Sequence, residues 1–137
     1  MARKSSYHSG MTGVFYVAAQ LSQRNYLVGV TVGNAPHVDL VVGTHYADRK
    51  FSVQVKTNSK GGAQSYWLLS AKAKTLDIKN HFYIFVNLKA PEERPDFYVV
   101  PNDIVARDID VGVGGSKGWY SFKREETYLE KWDVLNS

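Results

Sequence analysis

Residues 51–57 constrain the fold of this chain most, because their side chains alternate strictly between apolar and polar. The apolar set is Phe51, Val53 and Val55, and the polar set is Ser52, Gln54 and Lys56. Successive side chains of a strand point to opposite faces, so this alternation predicts a β-strand buried on one side and polar on the other.

A second strand is predicted directly before it, over residues 38–44, which are mostly apolar. The connecting residues 45–50 are polar and few, which favours an antiparallel hairpin. If Asp39 pairs with Gln54, paired residue numbers sum to 93 and the turn centres between Tyr46 and Ala47, where the polar stretch lies. The hairpin would then bring a carboxylate, an amide and an ammonium (that of Lys56) to one place.

The rest of the chain predicts further short elements. An apolar stripe of Val14, Val17, Ala18 and Leu21 indicates a helix over residues 11–24, with Ser9 or Thr12 as its cap and Asn25 as its stop. Strands are expected at 26–32, 81–88 and 96–100, and loops at 58–65 and 112–118. A short helix should begin near Pro101, and a loop with a short helix anchored by Tyr128 and Trp132 should follow at 123–135. This order predicts an α/β (α+β) domain with a largely antiparallel central sheet.

Length and composition fit one such domain. With 137 residues, 44% of them apolar, the chain can build a core without disulfides or a structural metal. We expect a flexible basic tail over residues 1–9 and a single domain over residues 10–137. The absence of cysteine excludes disulfide scaffolds, thiol catalysis and Cys-ligated zinc. No signal-peptide pattern and no apolar run of about 20 residues is present, so a cytoplasmic protein without a membrane segment is expected.

Charge is divided unevenly along the sequence. Residues 1–79 hold ten Lys and Arg against three Asp and Glu, whereas residues 80–137 hold seven against ten, for a formal net charge of +4. A basic side facing phosphates and an acidic side facing solvent would explain this division. The alternative is that the two halves of the sequence do not correspond to two faces of the molecule.

The hairpin residues also suggest a chemistry. Mg²⁺ prefers oxygen ligands, and Mn²⁺ would serve in its place; the candidates here are the Asp39 carboxylate, the Gln54 side-chain oxygen and the Val55 carbonyl. Lys56 could position a water molecule, stabilise charge on a phosphate or act as a base. The competing interpretations are that Asp39 only caps the turn after Pro36 and that Gln54 and Lys56 are a solvated sheet surface.

This pattern of Asp39 followed by Gln54, Val55 and Lys56 resembles the PD-(D/E)xK nuclease superfamily, in its Gln-x-Lys variant as in the Mrr group of restriction endonucleases. Its context, over about residues 10–101, resembles small bacterial members of that superfamily. The resembling segments are 13–15 and 17–21 in the helix, 33–36 before Asp39, 53–57, and 97–101. The resemblance implies a restriction endonuclease-like fold, a central mixed sheet flanked by helices. It also implies a metal-dependent DNA endonuclease with catalytic residues Asp39, Gln54 and Lys56.

One departure leaves two other functions open. Many members of the superfamily carry a glutamate on the first helix, whereas Val14 and Gln20 occupy the corresponding positions here. The chain could therefore be a catalytically inactive nucleic-acid-binding module of the same fold. The third alternative is a domain that binds a protein partner through its uneven charge.

Further residues are candidates for nucleic-acid binding. Lys60, Lys72 and Lys74 could follow a phosphate backbone, and His37 could approach a phosphate. Tyr66 and Trp67 could stack a base beside these lysines, or both rings could instead belong to the core. Nucleases of this fold often act as dimers, so a homodimer remains open, but no dimer face is marked in the sequence.

Overall fold

The short apolar segments of the chain form strands, and its longest apolar stripe forms a helix. The structure, a computed structural model, describes residues 6–32, 37–59, 61, 64–112 and 120–136. In chain order the elements are helix α1 (Ser6–Gln23), strands β1 (Leu27–Val30), β2 (Leu40–Gly43), β3 (Lys50–Asn58) and β4 (Tyr66–Leu69), a 3₁₀ helix (Ala71–Lys74), strands β5 (His81–Asn87) and β6 (Asp96–Pro101), helix α2 (Asn102–Asp108), strands β7 (Asp110–Val111) and β8 (Tyr120–Lys123), and two 3₁₀ helices (Glu126–Tyr128 and Trp132–Asn136).

A central sheet has the strand order β1-β2-β3-β5-β6. Strands β2 and β3 form the predicted antiparallel hairpin, with Leu40 opposite Val53 and Gly43 opposite Lys50, so the pairing sum of 93 is confirmed. Strands β3 and β5 run parallel, whereas the other three pairings are antiparallel. The predicted fold class, a mixed central sheet in an α+β domain flanked by helices, is confirmed.

Helix α1 covers one face of this sheet. Its residues Val14, Val17 and Leu21 are buried in a core with side chains from every strand of the sheet. The helix ends where the sequence predicted, because Asn25 takes the left-handed conformation with φ of 70° that terminates helices. Its start was predicted too late. The helix begins at Ser6, so Ser9 and Thr12 lie inside it and are not caps, and residues 6–9 are helical instead of belonging to a tail.

A second, three-stranded sheet of order β4-β8-β7 covers the opposite face together with α2. The helix after Pro101 was predicted, but β7 and β8 were not. Residues 113–119, which include most of the loop predicted at 112–118, lie outside the described residues. Trp132 is buried against Phe97 with ring centroids 5.6 Å apart, so its predicted anchoring role is confirmed.

In the described part of the chain, neither α1 nor α2 combines the length and the apolar character that crossing a membrane requires.

Candidate functional site

Asp39 lies at the end of the β2–β3 ladder, one residue before β2 begins. Its backbone N–H donates to the Val53 carbonyl at 2.8 Å, and one of its carboxylate oxygens, Oδ2, accepts the Val55 N–H at 2.7 Å. On its other side the Thr31 N–H donates to the Asp39 carbonyl at 3.0 Å. The backbone and side chain of Asp39 are therefore both fixed.

The pattern of strand hydrogen bonds places the Val55 carbonyl at the same edge of β3 as the Val55 N–H, which Asp39 binds. The N–H and C=O of one residue in an extended strand point to the same edge. The Ser52 N–H donates to Asn80 O on the β5 side, so even-numbered residues of β3 bond toward β5. Val55, whose N–H is bound by Asp39, faces the other edge, and it lies beyond the paired part of β2. A carboxylate oxygen and a peptide oxygen thus share this corner.

Gln54 and Lys56 project from the polar face of β3, on the same side as Asp39. Both are partly buried, and the Gln54 Oε1 atom is fully buried without a hydrogen-bond partner among the described residues. A buried carbonyl oxygen without a donor is costly, by roughly 1–3 kcal/mol. Gln54 and Lys56 are therefore not the freely solvated sheet surface that the alternative interpretation required.

The two charged groups of the site, Asp39 and Lys56, are partly buried and therefore poorly solvated. Burial raises the pKa of Asp39, and the Val55 N–H and the Lys56 ammonium partly oppose that rise. Burial likewise lowers the pKa of Lys56, with Asp39 opposing. Each group thus favours its neutral form more than it would in water, and an added cation near Asp39 would relieve the cost of its ionisation.

These oxygens fit a hard cation in type, but only one of them is charged. Asp39 supplies the carboxylate, and Gln54 Oε1 and the Val55 carbonyl supply neutral oxygens. The described residues contain no cluster of three or more His, Cys, Asp or Glu side chains that could hold a metal. The donor set therefore fits a weakly held ion whose charge is balanced further by a bound phosphate.

Helix α1 adds no carboxylate to this set. Val14 is in the core, and Gln20 Oε1 accepts hydrogen bonds from Arg24 at 2.6 Å and Arg94 at 3.3 Å. The helix residue that lies against the end of β3 is Gly13, where a Cβ atom would overlap the Thr57 hydroxyl. The helix thus approaches β3 through a residue without a side chain.

The parallel pairing of β3 with β5 brings in residues that the sequence did not identify. Tyr83 lies beside Gln54, and His81 lies beside Ser52, whose hydroxyl is 2.7 Å from His81 Nδ1. The Tyr83 hydroxyl and His81 Nε2 are buried without partners in the described part of the chain. Burial, and secondarily the nearby His37, lowers the pKa of His81 to about 4, and burial raises that of Tyr83 to about 12.

The predicted nucleic-acid-binding residues are dispersed. Lys72 and Lys74 are exposed in the 3₁₀ helix Ala71–Lys74, and Lys60 lies outside the described residues. His37 precedes the site in a left-handed conformation with φ of 64° and lies close enough to affect His81. Of the two alternatives left open for the Trp67 ring, the core is the correct one, because that ring is buried against Phe85 and Tyr98.

Comparison with known proteins supports the fold. No protein-family model and no curated protein sequence matches the chain. Among solved structures, a bacterial homing endonuclease, I-Ssp6803I, is similar over 97% of this chain and 92% of its own, with a TM-score of 0.59 and 18% sequence identity. The chain therefore shares the fold of a known nuclease.

Proposed function

We propose that this protein is a metal-dependent endonuclease that hydrolyses the phosphodiester bonds of DNA, with Mg²⁺ or Mn²⁺ as its cofactor. The observation that carries the proposal is the meeting of Asp39, Gln54, the Val55 peptide and Lys56 at the open end of the β2–β3 ladder. The shared fold with a homing endonuclease and the resemblance to the PD-(D/E)xK superfamily both support it.

The proposed ligands are the Asp39 carboxylate, Gln54 Oε1 and the Val55 carbonyl oxygen. When bound, the ion would polarise the scissile phosphate and acidify a water molecule. Asp39 is oriented for this role because the Val55 N–H holds one of its oxygens. Gln54 Oε1 carries an unsatisfied lone pair that no described residue uses.

Lys56 is the proposed catalytic cation. Its ammonium can neutralise charge that grows on a phosphate oxygen, and partial burial makes this attraction stronger than in bulk water. Because its pKa is lowered, Lys56 loses its own proton more readily than an exposed lysine does, and in the neutral form its Nζ atom could instead accept a proton from an attacking water molecule.

The presence of a single carboxylate favours one alternative. A site with Asp39 alone, no acidic residue on α1 and a neutral Gln54 could bind DNA without cutting it. Such a protein would be a nucleic-acid-binding module, with affinity that falls steeply as salt rises. A domain that binds an acidic protein instead would show no DNA affinity even at low salt.

The test is cleavage of labelled duplex, single-stranded and four-way-junction DNA with Mg²⁺ or Mn²⁺. Wild type should cut at least one of these, and Asp39→Ala and Lys56→Ala should each lose cutting. Lys50→Ala is the matched control, because Lys50 is an exposed lysine at the other end of β3. If wild type binds DNA but neither wild type nor any variant cuts it, the protein is the inactive nucleic-acid-binding module. Equal cutting by wild type and both site variants would disprove the assigned residues.

A further inference from the structure

A cleft opens beside Lys56, between the end of β3 and strand β4. It has a volume of about 320 Å³ and is lined by Lys56, Asn58, Gln64, Tyr66 and Leu68, with Trp67 beneath. This volume is at the lower end of the range for small-molecule sites, about 300–1,000 Å³. It suits one nucleotide and is too small for a base pair with its backbone.

The lining combines the groups that bind a nucleotide. Tyr66 and Leu68 project outward from β4, with 37% and 48% of their surface exposed, whereas Trp67 between them is 1% exposed. An exposed tyrosine ring offers a stacking surface that every base can use. Asn58 and Gln64 are the polar residues of the lining, and Lys56 supplies positive charge for a phosphate.

This wall is anchored to the central sheet. The Asn58 side-chain amide donates to the Tyr66 carbonyl at 2.7 Å, and the Asn87 amide donates to the Gln64 carbonyl at 3.2 Å. The Trp67 indole N–H donates to the Val86 carbonyl at 3.0 Å. Because these bonds fix β4 before any ligand arrives, little conformational entropy would be lost on binding.

We propose that this cleft binds the unpaired base of the nucleotide next to the phosphate held at Lys56, with Tyr66 as the stacking ring. The preferred substrate is therefore DNA with a single-stranded segment at the cleavage point and not continuous duplex. The proposal rests on the nuclease function proposed above, since it assigns a neighbouring phosphate to Lys56. A base within intact duplex is stacked and paired, and extracting it into the cleft would cost several kcal/mol.

The test measures binding of labelled single-stranded and matched duplex DNA by fluorescence anisotropy at low salt, without metal. Wild type should bind the single strand more tightly. Tyr66→Ala should weaken that binding by about five- to hundredfold and leave duplex binding unchanged, whereas Tyr66→Phe, which keeps the ring, should bind like wild type. Tyr46→Ala is the matched control, since Tyr46 is exposed in the β2–β3 turn and should have no effect.

The outcomes separate this proposal from the nuclease function. If wild type cuts and binds DNA but Tyr66→Ala binds single strands as tightly as wild type does, the base-binding cleft is disproved and the nuclease function stands. A wild-type preference for duplex would likewise overturn the cleft alone. If wild type neither binds nor cuts any DNA, both proposals fail together.

Discussion

Strands β3 and β5 present different side chains on their two faces, because successive residues of a strand point to opposite sides of the sheet. On the face toward α1, the side chains of Val53, Val55, Ile84 and Val86 are apolar and almost fully buried. On the opposite face, Gln54, His81 and Tyr83 each bury a polar atom that has no partner among the described residues. Neighbouring side chains of one strand thus lie in an apolar core on one face and next to these polar atoms on the other.

This difference separates stability from chemistry. Buried apolar side chains stabilise the fold without restricting what the surface can do, whereas buried polar atoms without partners destabilise it. Proteins tolerate such groups mainly where function requires them. The α1 face therefore mainly stabilises the sheet, whereas the opposite face combines an apolar core around Phe85 with buried polar groups, next to Asp39 and Lys56, that lower stability.

The largest expected effect is on activity, from a substitution on the polar face. Lys56→Met removes the ammonium and keeps most of the unbranched side chain. We expect cleavage to fall by about 10²–10⁴-fold, while the free energy of unfolding stays the same or rises because a partly buried charge is removed. Cleavage rates and urea denaturation check both parts. A large loss of stability would show that Lys56 supports the fold and would remove the contrast between the faces.

The matching substitution on the α1 face is Ile84→Ala. Ile84 is fully buried, and truncating it leaves a cavity that should lower the free energy of unfolding by about 2–5 kcal/mol. The cleavage rate per folded molecule should not change. Urea denaturation and an active-fraction titration measure the two quantities. A rate that falls more than the folded fraction does would mean that this face also shapes the site.

The sequence predicted this contrast only in part, because its signals are local. Alternation along β3 and the short polar turn placed Gln54 and Lys56 on one face and Asp39 opposite Gln54, and the hairpin register is confirmed. No local signal could predict that β5 pairs in parallel with β3, since residues 59–80 intervene. Tyr83 and His81 were therefore missed as neighbours of the site.

Trp67 is a second case in which local sequence signals could not predict the structure. Tyr66 and Trp67 are adjacent in a strand, so they must point to opposite sides, and the sequence does not say which side is buried. The answer depends on β8, which pairs with β4 from more than 50 residues away along the chain.

The structure brings Asp39, Gln54 and Lys56 together, but their roles as catalytic groups remain a prediction.

A smaller effect concerns His81 and pH. Its pKa is about 4 in the folded protein and about 6.5 in the unfolded chain, so the unfolded chain takes up the proton first as pH falls. The free energy of unfolding should therefore decrease by about 2–3 kcal/mol between pH 7 and pH 4 because of this residue. His81→Gln should abolish that part of the acid sensitivity.

Urea midpoints of wild type and His81→Gln at several pH values between 4 and 7 measure the difference. His45→Gln, at an exposed position in the hairpin turn, is the control and should behave like wild type. The raised pKa of Asp39 acts in the opposite direction in both proteins and cancels in the comparison. Parallel pH profiles for wild type and His81→Gln would mean that His81 is not buried in its neutral form.

The smallest effect tests the polar face most directly, through the Tyr83 hydroxyl. Tyr83→Phe keeps the ring stacked on Phe85, with centroids 5.6 Å apart, and removes only the hydroxyl that lacks a described partner. We expect the free energy of unfolding to rise by up to about 1 kcal/mol. Tyr98→Phe is the matched control, because the Tyr98 ring is similarly buried, whereas its hydroxyl is not one of the buried polar atoms that lack a described partner and interacts with Arg124. Removing that hydroxyl should lower stability by about 1 kcal/mol. If both variants lose stability equally, the Tyr83 hydroxyl has a partner within the folded protein and does not destabilise the polar face.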